Sequence, residues 1–156
     1  MEFLLANVRP DDRVFEYGSG ETTLRLVERC RYITCVEHKG VYAGRMIAAL
    51  YGRPNASVIY APPDLPYVEG TPDDGDLATF RTYVESYVGK GIDVVLVDGR
   101  ARVESVRYVL ERAPFGPHPE LRLFAHDIER PELAPILEMM REESRVGRLA
   151  LLRVRT

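Results

Sequence analysis

The chain has 156 residues, about the size of one domain, and its 46% hydrophobic and 29% charged residues are typical of a globular protein. No apolar stretch approaches the ~20 residues that a membrane-spanning helix requires. Residues 1–5 contain an acid and no base, which is not the pattern of a secretory signal. We therefore expect one domain over residues 1–156, no membrane partner and a cytoplasmic location.

The net charge is −3, and the basic residues are spread over the whole length without a long basic block. This distribution disfavours a nucleic-acid partner and fits a small neutral or cationic substrate at least as well as a polyanion. The two cysteines, Cys30 and Cys35, are not accompanied by a histidine cluster. We interpret them as buried structural thiols rather than as a zinc site or a disulfide framework.

From residue 13 onward, short β-branched runs alternate with longer stretches of helical spacing. Strands are predicted at residues 13–17, 32–36, 57–60, 93–97, 121–125 and 149–154. Helices are predicted at residues 21–29, 41–51, 79–88, 103–112 and 131–143, with a proline-rich loop at 61–76. The alternation predicts an α/β fold with a doubly wound, mostly parallel sheet. The stripe formed by Phe80, Tyr83 and Tyr87 is assigned to the core.

A glycine-rich turn joins the first predicted strand to the first predicted helix. Gly18 and Gly20 let the backbone turn tightly and approach a ligand that a Cβ atom would block. Glu37 ends the second strand, where its carboxylate could accept hydrogen bonds from two ribose hydroxyls. A glycine turn followed by such an acid is typical of nucleoside sites in doubly wound folds. The third glycine of a dinucleotide fingerprint would fall at Thr23, which counts against NAD.

These residues lie in segments that resemble class I S-adenosylmethionine-dependent methyltransferases, especially small bacterial members. Residues 14–24 read VFEYGSGETTL and are similar to the first motif of that family. Residues 35–38 (CVEH) resemble the second motif, and residues 93–102 (DVVLVDGRAR) resemble the motif of the fourth strand. Residues 124–127 (FAHD) resemble the end of the fifth strand. The resemblance covers residues 13–131, which is most of the chain.

The resemblance implies a Rossmann-like methyltransferase fold, S-adenosylmethionine as the cofactor and methyl transfer as the activity. Gly18 and Gly20 would flank the methionine part of the cofactor, and Glu37 would bind its ribose. The loop after the third strand would lie near the adenine, with Asp64 as the best polar candidate there. The full set of predicted cofactor-binding residues is Glu16, Tyr17, Gly18, Ser19, Gly20, Thr22, Thr23, Glu37, His38, Asp64 and Asp98.

The C-terminal part departs from the family pattern. Family members usually finish with a paired sixth and seventh strand, whereas only the strand at 149–154 follows the last predicted helix here. We therefore expect a shortened C-terminal sheet. The strand at 149–154 would be an exposed edge, and because such edges invite pairing with another chain, a homodimer could form there.

Polar side chains follow the fourth and fifth strands, at the sheet edge where ligands bind in open α/β folds. Asp98 is either a base or substrate anchor, or the cap of the following helix. Arg100 could anchor a substrate carboxylate or pair with Asp98. His126 could take a proton from a hydroxyl or amine acceptor, with Asp127 beside it. These four are the predicted catalytic residues. The two carboxylates could alternatively hold a divalent cation, but no metal site is assigned.

Three functions are compatible with this pattern. The favoured one is an S-adenosylmethionine-dependent methyltransferase acting on a small-molecule, sugar or peptide-like acceptor. A non-catalytic nucleoside-binding or regulatory module is the second, supported by the shortened sheet and by the absence of an unmistakable catalytic set. An NAD-dependent oxidoreductase is the third, disfavoured by Thr23 and by the lack of a separate substrate domain.

Overall fold

Seven strands form one sheet in the computed structural model, which describes residues 1–68, 74–111 and 120–155. The strands are β1 (Arg13–Tyr17), β2 (Tyr32–Glu37), β3 (Ala56–Tyr60), β4 (Val94–Val97), β5 (Arg122–His126), β6 (Met140–Val146) and β7 (Leu149–Val154). The helices are α1 (Glu2–Ala6), α2 (Glu21–Leu26), α3 (Gly40–Ala49), α4 (Arg81–Val84), α5 (Arg102–Glu111) and α6 (Ala134–Met139), with a 3-10 turn at Pro131–Leu133. Within these described ranges, no helix is long and apolar enough to cross a membrane.

The strand order explains where a ligand can bind. Across the sheet the order is β3-β2-β1-β4-β5-β7-β6. Every pair of neighbouring strands within the set β1 to β5 is parallel. The chain builds one half of the sheet outward from β1 and the other half outward from β4. The carboxyl ends of β1 and β4 therefore flank the point where the strand order reverses, which is the usual ligand crevice of open α/β sheets.

Each face of the sheet forms its own hydrophobic core. Val95 and Val97 of β4 belong to one cluster, which also contains residues of α4, α5 and α6. Val94 and Leu96 belong to the other cluster, which contains residues of α1, α2 and α3. Since successive residues of a strand point to opposite faces, a strand covered on both faces has to be apolar almost throughout. The predicted doubly wound α/β fold is confirmed.

The residues assigned to the core from the sequence are buried. Phe80, Tyr83 and Tyr87 are all inaccessible to solvent, although α4 is shorter than the helix predicted around them. Cys30 and Cys35 are free, buried thiols as predicted. Burial raises the pKa of Cys30 to about 11 and that of Cys35 to about 12, so neither is a reactive thiolate.

The expected shortening of the C-terminal sheet is wrong. The helix predicted at 131–143 ends at Met139, and Met140–Val146 forms β6, which pairs antiparallel with β7. Because β7 also pairs with β5, it lies inside the sheet and offers no edge for the homodimer predicted at 149–154. Six of the seven residues of β6 are exposed, so this edge strand lacks the apolar alternation by which strands are found in a sequence.

A buried ion pair joins the segment before β1 to the start of β5. Arg122 Nη2 lies 2.5 Å from Asp12 Oδ1, and Arg122 Nη1 donates a hydrogen bond to the carbonyl of Asn7 at 2.7 Å. Both charged side chains are almost fully buried. Each charge therefore depends on the other for compensation.

We predict that Asp12→Ala lowers the free energy of unfolding by about 3–5 kcal/mol, because it leaves the guanidinium of Arg122 buried without its carboxylate. Urea denaturation followed by circular dichroism measures this loss. The neighbouring Asp11 is exposed, so Asp11→Ala is the matched control and should change stability little. Equal losses in the two variants would contradict the assignment.

Candidate functional site

The turns that follow β1 and β4 approach each other through their backbones. Gly18 has a φ of +104°, and a Cβ atom there would lie 3.3 Å from the backbone of Gly99. A Cβ atom on Gly99 would lie 2.0 Å from the hydroxyl of Tyr83 and 3.1 Å from the amide nitrogen of Gly18. A side chain at Gly99 would therefore clash, and one at Gly18 would be strained by its φ and held tightly against Gly99. Gly99 was not selected from the sequence, although it lies in the segment that resembles the fourth-strand motif.

Glu16 is a buried acid below the glycine turn. Thr23 Oγ1 donates a hydrogen bond to Glu16 Oε2 at 2.6 Å and accepts one from the N–H of Gly20 at 3.0 Å. Burial raises the pKa of Glu16 to about 8, although the hydrogen bond from Thr23 opposes the shift. The side chains of Glu16 and Thr23 thus hold the turn in shape, and any contact of theirs with a ligand stays a prediction.

Glu37 stands at the end of β2 and faces the turn. Its Oε2 accepts a hydrogen bond from Ser19 Oγ at 2.8 Å, and its Oε1 accepts one from the N–H of Lys39 at 2.9 Å. His38 Nδ1 lies 3.1 Å from the same Oε1. Burial alone would raise the pKa of Glu37, but these hydrogen bonds outweigh it and the pKa lies below its usual value. The carboxylate is therefore ionised at neutral pH and each oxygen keeps accepting capacity.

The glycine turn and Glu37 border one cavity of about 160 Å³. Its lining includes Gly18, Ser19, Glu37, His38, Asp98 and Gly99. The cavity thus opens at the point where the strand order reverses. Six residues from three predicted motifs share one site.

Asp98, His126 and Asp127 come together at the ends of β4 and β5. His126 Nδ1 lies 3.3 Å from Asp98 Oδ1 and 2.8 Å from Asp127 Oδ1. Arg102 Nη2 lies 3.8 Å from a carboxylate oxygen of each aspartate. Arg148 Nη2 lies 2.7 Å from Asp127 Oδ1. Guanidinium groups therefore offset the charge of these carboxylates, and among the described residues no group of His, Cys, Asp or Glu side chains is arranged so that it could hold a metal ion.

Arg102 was not found from the sequence, although it connects several of the acids. It is buried, its N–H donates a hydrogen bond to Asp74 Oδ2 at 2.6 Å, and its Nη1 lies 3.2 Å from Asp74 Oδ1. Burial raises the pKa of Asp74 above its usual value, against the opposing hydrogen bond from Arg102. Asp98 lies four residues before Arg102 but precedes α5, so the two do not share a helix face and their spacing gave no signal. Asp74, 28 residues away, gave none either.

Asp127 of this cluster, and Ala101 next to Arg102, have left-handed backbones without being glycine. Ala101 has a φ of 47° and Asp127 a φ of 60°. The N–H of Ala101 donates to the carbonyl of Asp74, and the carbonyl of Asp127 accepts the N–H of Arg130 at 2.9 Å. Such conformations are uncommon outside glycine and cluster at functional sites. They add local support for a site at the ends of β4 and β5.

No protein-family model matches the sequence, and no curated protein sequence matches it either. Solved structures do match. A proposed methyltransferase from Pseudomonas syringae is 18% identical, with a TM-score of 0.62 over 99% of this chain and 95% of that one. An rRNA methylase from Streptococcus thermophilus is 15% identical, with a TM-score of 0.59 over 99% and 93%. The chain has the methyltransferase fold. Fibrillarin from Aeropyrum pernix, solved with bound S-adenosyl-L-methionine, is 16% identical, with a TM-score of 0.59 over 92% and 66%.

Within this methyltransferase fold, several predicted site residues do not line the cavity that the glycine turn and Glu37 border. The side chain of Tyr17 is buried and its hydroxyl donates to the carbonyl of Val84 at 2.7 Å, which leaves only its backbone for a ligand. Asp64 accepts hydrogen bonds from the N–H and hydroxyl of Thr82 at 2.8 and 2.6 Å, and it does not line that cavity. The guanidinium of Arg100 lies 5.5 Å from the ring centre of Tyr67.

The pKa of Glu16 generates a pH prediction. The pKa of Glu16 is about 8 in the folded protein and near 4.5 in the unfolded chain. Between pH 4.5 and 8 the folded protein therefore keeps a proton on Glu16 that the unfolded chain has released. Stability from this group therefore falls as the pH rises from 4.5 to 8, by at most about 1.4 kcal/mol per pH unit. We expect Glu16→Gln to remove this fall, as measured by urea denaturation at a series of pH values. Parallel pH profiles of the variant and the wild type would disprove the assignment.

The contact between Gly18 and Gly99 generates a second prediction. Gly18→Ala should destabilise the protein by about 1–3 kcal/mol, because alanine is strained at this φ and its methyl group meets the backbone of Gly99. Gly44 lies inside α3 with open space around it, so Gly44→Ala is the control and should stabilise by about 0.5–1 kcal/mol. Thermal unfolding compares the two, and a stabilised Gly18→Ala variant would refute the tight contact.

Proposed function

We propose that the protein is an S-adenosylmethionine-dependent methyltransferase that acts on a small-molecule acceptor. The observation that carries this proposal is the cavity in which the glycine turn, Glu37 and Asp98 meet. The turn supplies close backbone approach, Glu37 supplies a charged acceptor, and Asp98 stands where the strand order reverses. The fold shared with methyltransferases agrees with this assignment.

The residues present fit the cofactor. A Cβ atom placed on Gly20 would meet nothing within 4 Å, so the turn leaves room beside its backbone for a ligand. Glu37 is ionised and retains accepting capacity for a ribose diol. Ser19, His38 and Asp98 complete the polar rim. When bound, S-adenosylmethionine supplies an activated methyl group on a sulfonium, so the protein has mainly to align the acceptor.

Thr23 favours this cofactor over NAD. Its hydroxyl bridges Glu16 and the N–H of Gly20, which a glycine at the third fingerprint position could not do. The alternative of a non-catalytic module loses the support of a shortened sheet, because β6 completes the sheet that was expected to be short. The remaining predicted catalytic residues, Asp98, His126 and Asp127, form one connected group, which favours an enzyme.

We further propose that Arg100 orients the acceptor, since it directly follows Gly99 of the cavity lining and its guanidinium lies over the ring of Tyr67. The cytoplasm is the proposed location. The buried free thiols Cys30 and Cys35 agree with a reducing compartment.

Removing the charge of Glu37 tests the cofactor assignment. Glu37→Gln should weaken the binding of S-adenosylhomocysteine about 10- to 100-fold, because hydrogen bonds to an ionised group contribute about 1.5–3 kcal/mol. Isothermal titration calorimetry measures the dissociation constant. Glu21→Gln, in the exposed first turn of α2, is the control and should bind like the wild type. Unchanged affinity in Glu37→Gln would remove Glu37 from the site, and no binding by the wild type would overturn the proposed function.

A further inference from the structure

The two outermost strands of the sheet differ in charge. β3 and β6 are the end strands, and within the described part of the chain no strand pairs with the outer side of either. The sequence of β6, MREESRV, contains four charged residues, whereas that of β3, ASVIY, contains none. Charged side chains protect a sheet edge from pairing with another chain. The edge formed by β3 lacks this protection.

The backbone groups of β3 that β2 does not use belong to alternate residues. The N–H of Ile33 in β2 donates to the carbonyl of Asn55, and the N–H of Ala61 donates to the carbonyl of Glu37. Residues of a parallel strand alternate between bonding to one neighbour and facing away from it. Three residues of β3 therefore direct their N–H and C=O groups to the outer side: Ala56, Val58 and Tyr60.

One side of α3 lies along this edge. A Cβ atom on Gly40 would lie 3.2 Å from the hydroxyl of Tyr60, so the side of the helix that contains Gly40 faces β3. With about 3.6 residues per turn, Gly44, Ile47 and Tyr51 lie on that same side. All three are exposed, and Tyr51, just past the end of the helix, is 90% exposed. We call positions 40, 44, 47 and 51 the outer flank of α3.

The charge of α3 lies on its other side. Arg45 is the one charged residue of the helix, and its guanidinium lies 5.7 Å from the ring centre of Tyr42. Tyr42 borders the cavity that contains Glu37, away from the edge of the sheet. The outer flank of α3 and the edge of β3 therefore form one uncharged surface.

We propose that this surface docks a second copy of the chain. A two-fold axis beside Val58 makes the two β3 strands antiparallel, and the outward N–H and C=O groups of one strand then pair with those of the other. The two sheets become one continuous sheet, and the two α3 helices lie side by side on the same face of it. The inference is independent of the proposed function.

The same axis brings small residues opposite large ones. α3 runs antiparallel to β3, with Gly40 beside Tyr60. The helix end that carries the two glycines therefore meets the end that carries Ile47 and Tyr51 in the second copy. On the strand, Ala56 comes opposite Tyr60 of the second copy. The surface is thus complementary to itself in shape, and none of these residues is charged, which favours a second copy over a charged partner.

The exposed area suits a small dimer interface. Tyr51 is 90% and Tyr60 52% exposed. Since a buried aromatic side chain covers about 150–250 Å², the two tyrosines supply on the order of 200–350 Å² per copy. Ile47 and the strand edge add to this, toward the roughly 800 Å² per partner of a standard interface. We therefore expect a dimer that dissociates on dilution.

Sedimentation velocity of the full chain tests the association over a dilution series from about 500 μM to about 1 μM. The wild type should approach twice the mass of one chain at the highest concentration. Ile47→Glu should weaken dimerisation at least about 10-fold, because the axis brings two unpaired carboxylates into the interface. Val146→Glu is the matched control, since Val146 is 59% exposed and Ile47 53%, but Val146 lies on β6 at the other edge.

Amide hydrogen exchange tests the pairing of the strands. The N–H groups of Val58 and Tyr60 should exchange at least about 10-fold more slowly at the highest concentration than at the lowest. The N–H of Ile59, which faces β2, should change less. In Ile47→Glu the exchange of Val58 and Tyr60 should stay fast at concentrations where the wild type is dimeric.

Each opposite result overturns the inference. A wild type with the mass of one chain throughout the series would exclude the dimer. A dimer that Ile47→Glu leaves intact, or that Val146→Glu weakens equally, would exclude this surface. Exchange of Val58 and Tyr60 that does not depend on concentration would exclude the strand pairing. A monomer that binds phosphatidylcholine vesicles, and loses this binding in Ile47→Glu, would replace the second copy by a lipid surface.

Discussion

The contact between the turns after β1 and β4 is the constraint on which the candidate site depends. Gly18 and Gly99 meet through their backbones, and a Cβ atom on either would push the turns apart. The N–H of Gly18 donates to the carbonyl of Val36, and the N–H of Asp98 donates to the carbonyl of Tyr17, so hydrogen bonding continues past the strand ends. Because the two turns meet, the ligand crevice at this end of the sheet is an opening bordered by Glu37 and Asp98.

Charge compensation around Arg102 is what allows the acids at the sheet edge to lie together. The guanidinium is within ion-pair distance of Asp74, Asp98 and Asp127, and it is itself buried. A buried cation without these carboxylates, or the carboxylates without the cation, would be strongly destabilising. The cluster therefore forms as a unit, and it fixes His126 beside two acceptors.

The C-terminal hairpin of β6 and β7 lines a different cavity from the glycine turn. The turn after β1 and the ends of β2 and β4 border the cavity that contains Glu37. Val146 and Leu149 of the hairpin line a cavity of about 210 Å³ together with residues of α1, α2, β4 and β5. Since one fold carries many activities, the acceptor has to be inferred from the lining residues rather than from the fold.

The sequence by itself determined the alternation of strands and helices along the chain from β1 to α6 and the residues of the glycine turn, because apolar periodicity and glycine spacing are local properties. Glu37, Asp98 and His126 could also be found, since each directly follows or ends a predicted strand. β6 and the ion pairs of Arg102 could not. An edge strand exposed on both faces leaves no apolar pattern, and the approach of Asp74 to Arg102 joins segments far apart in the chain. Only the tertiary structure decided these, because they depend on packing rather than on neighbouring residues.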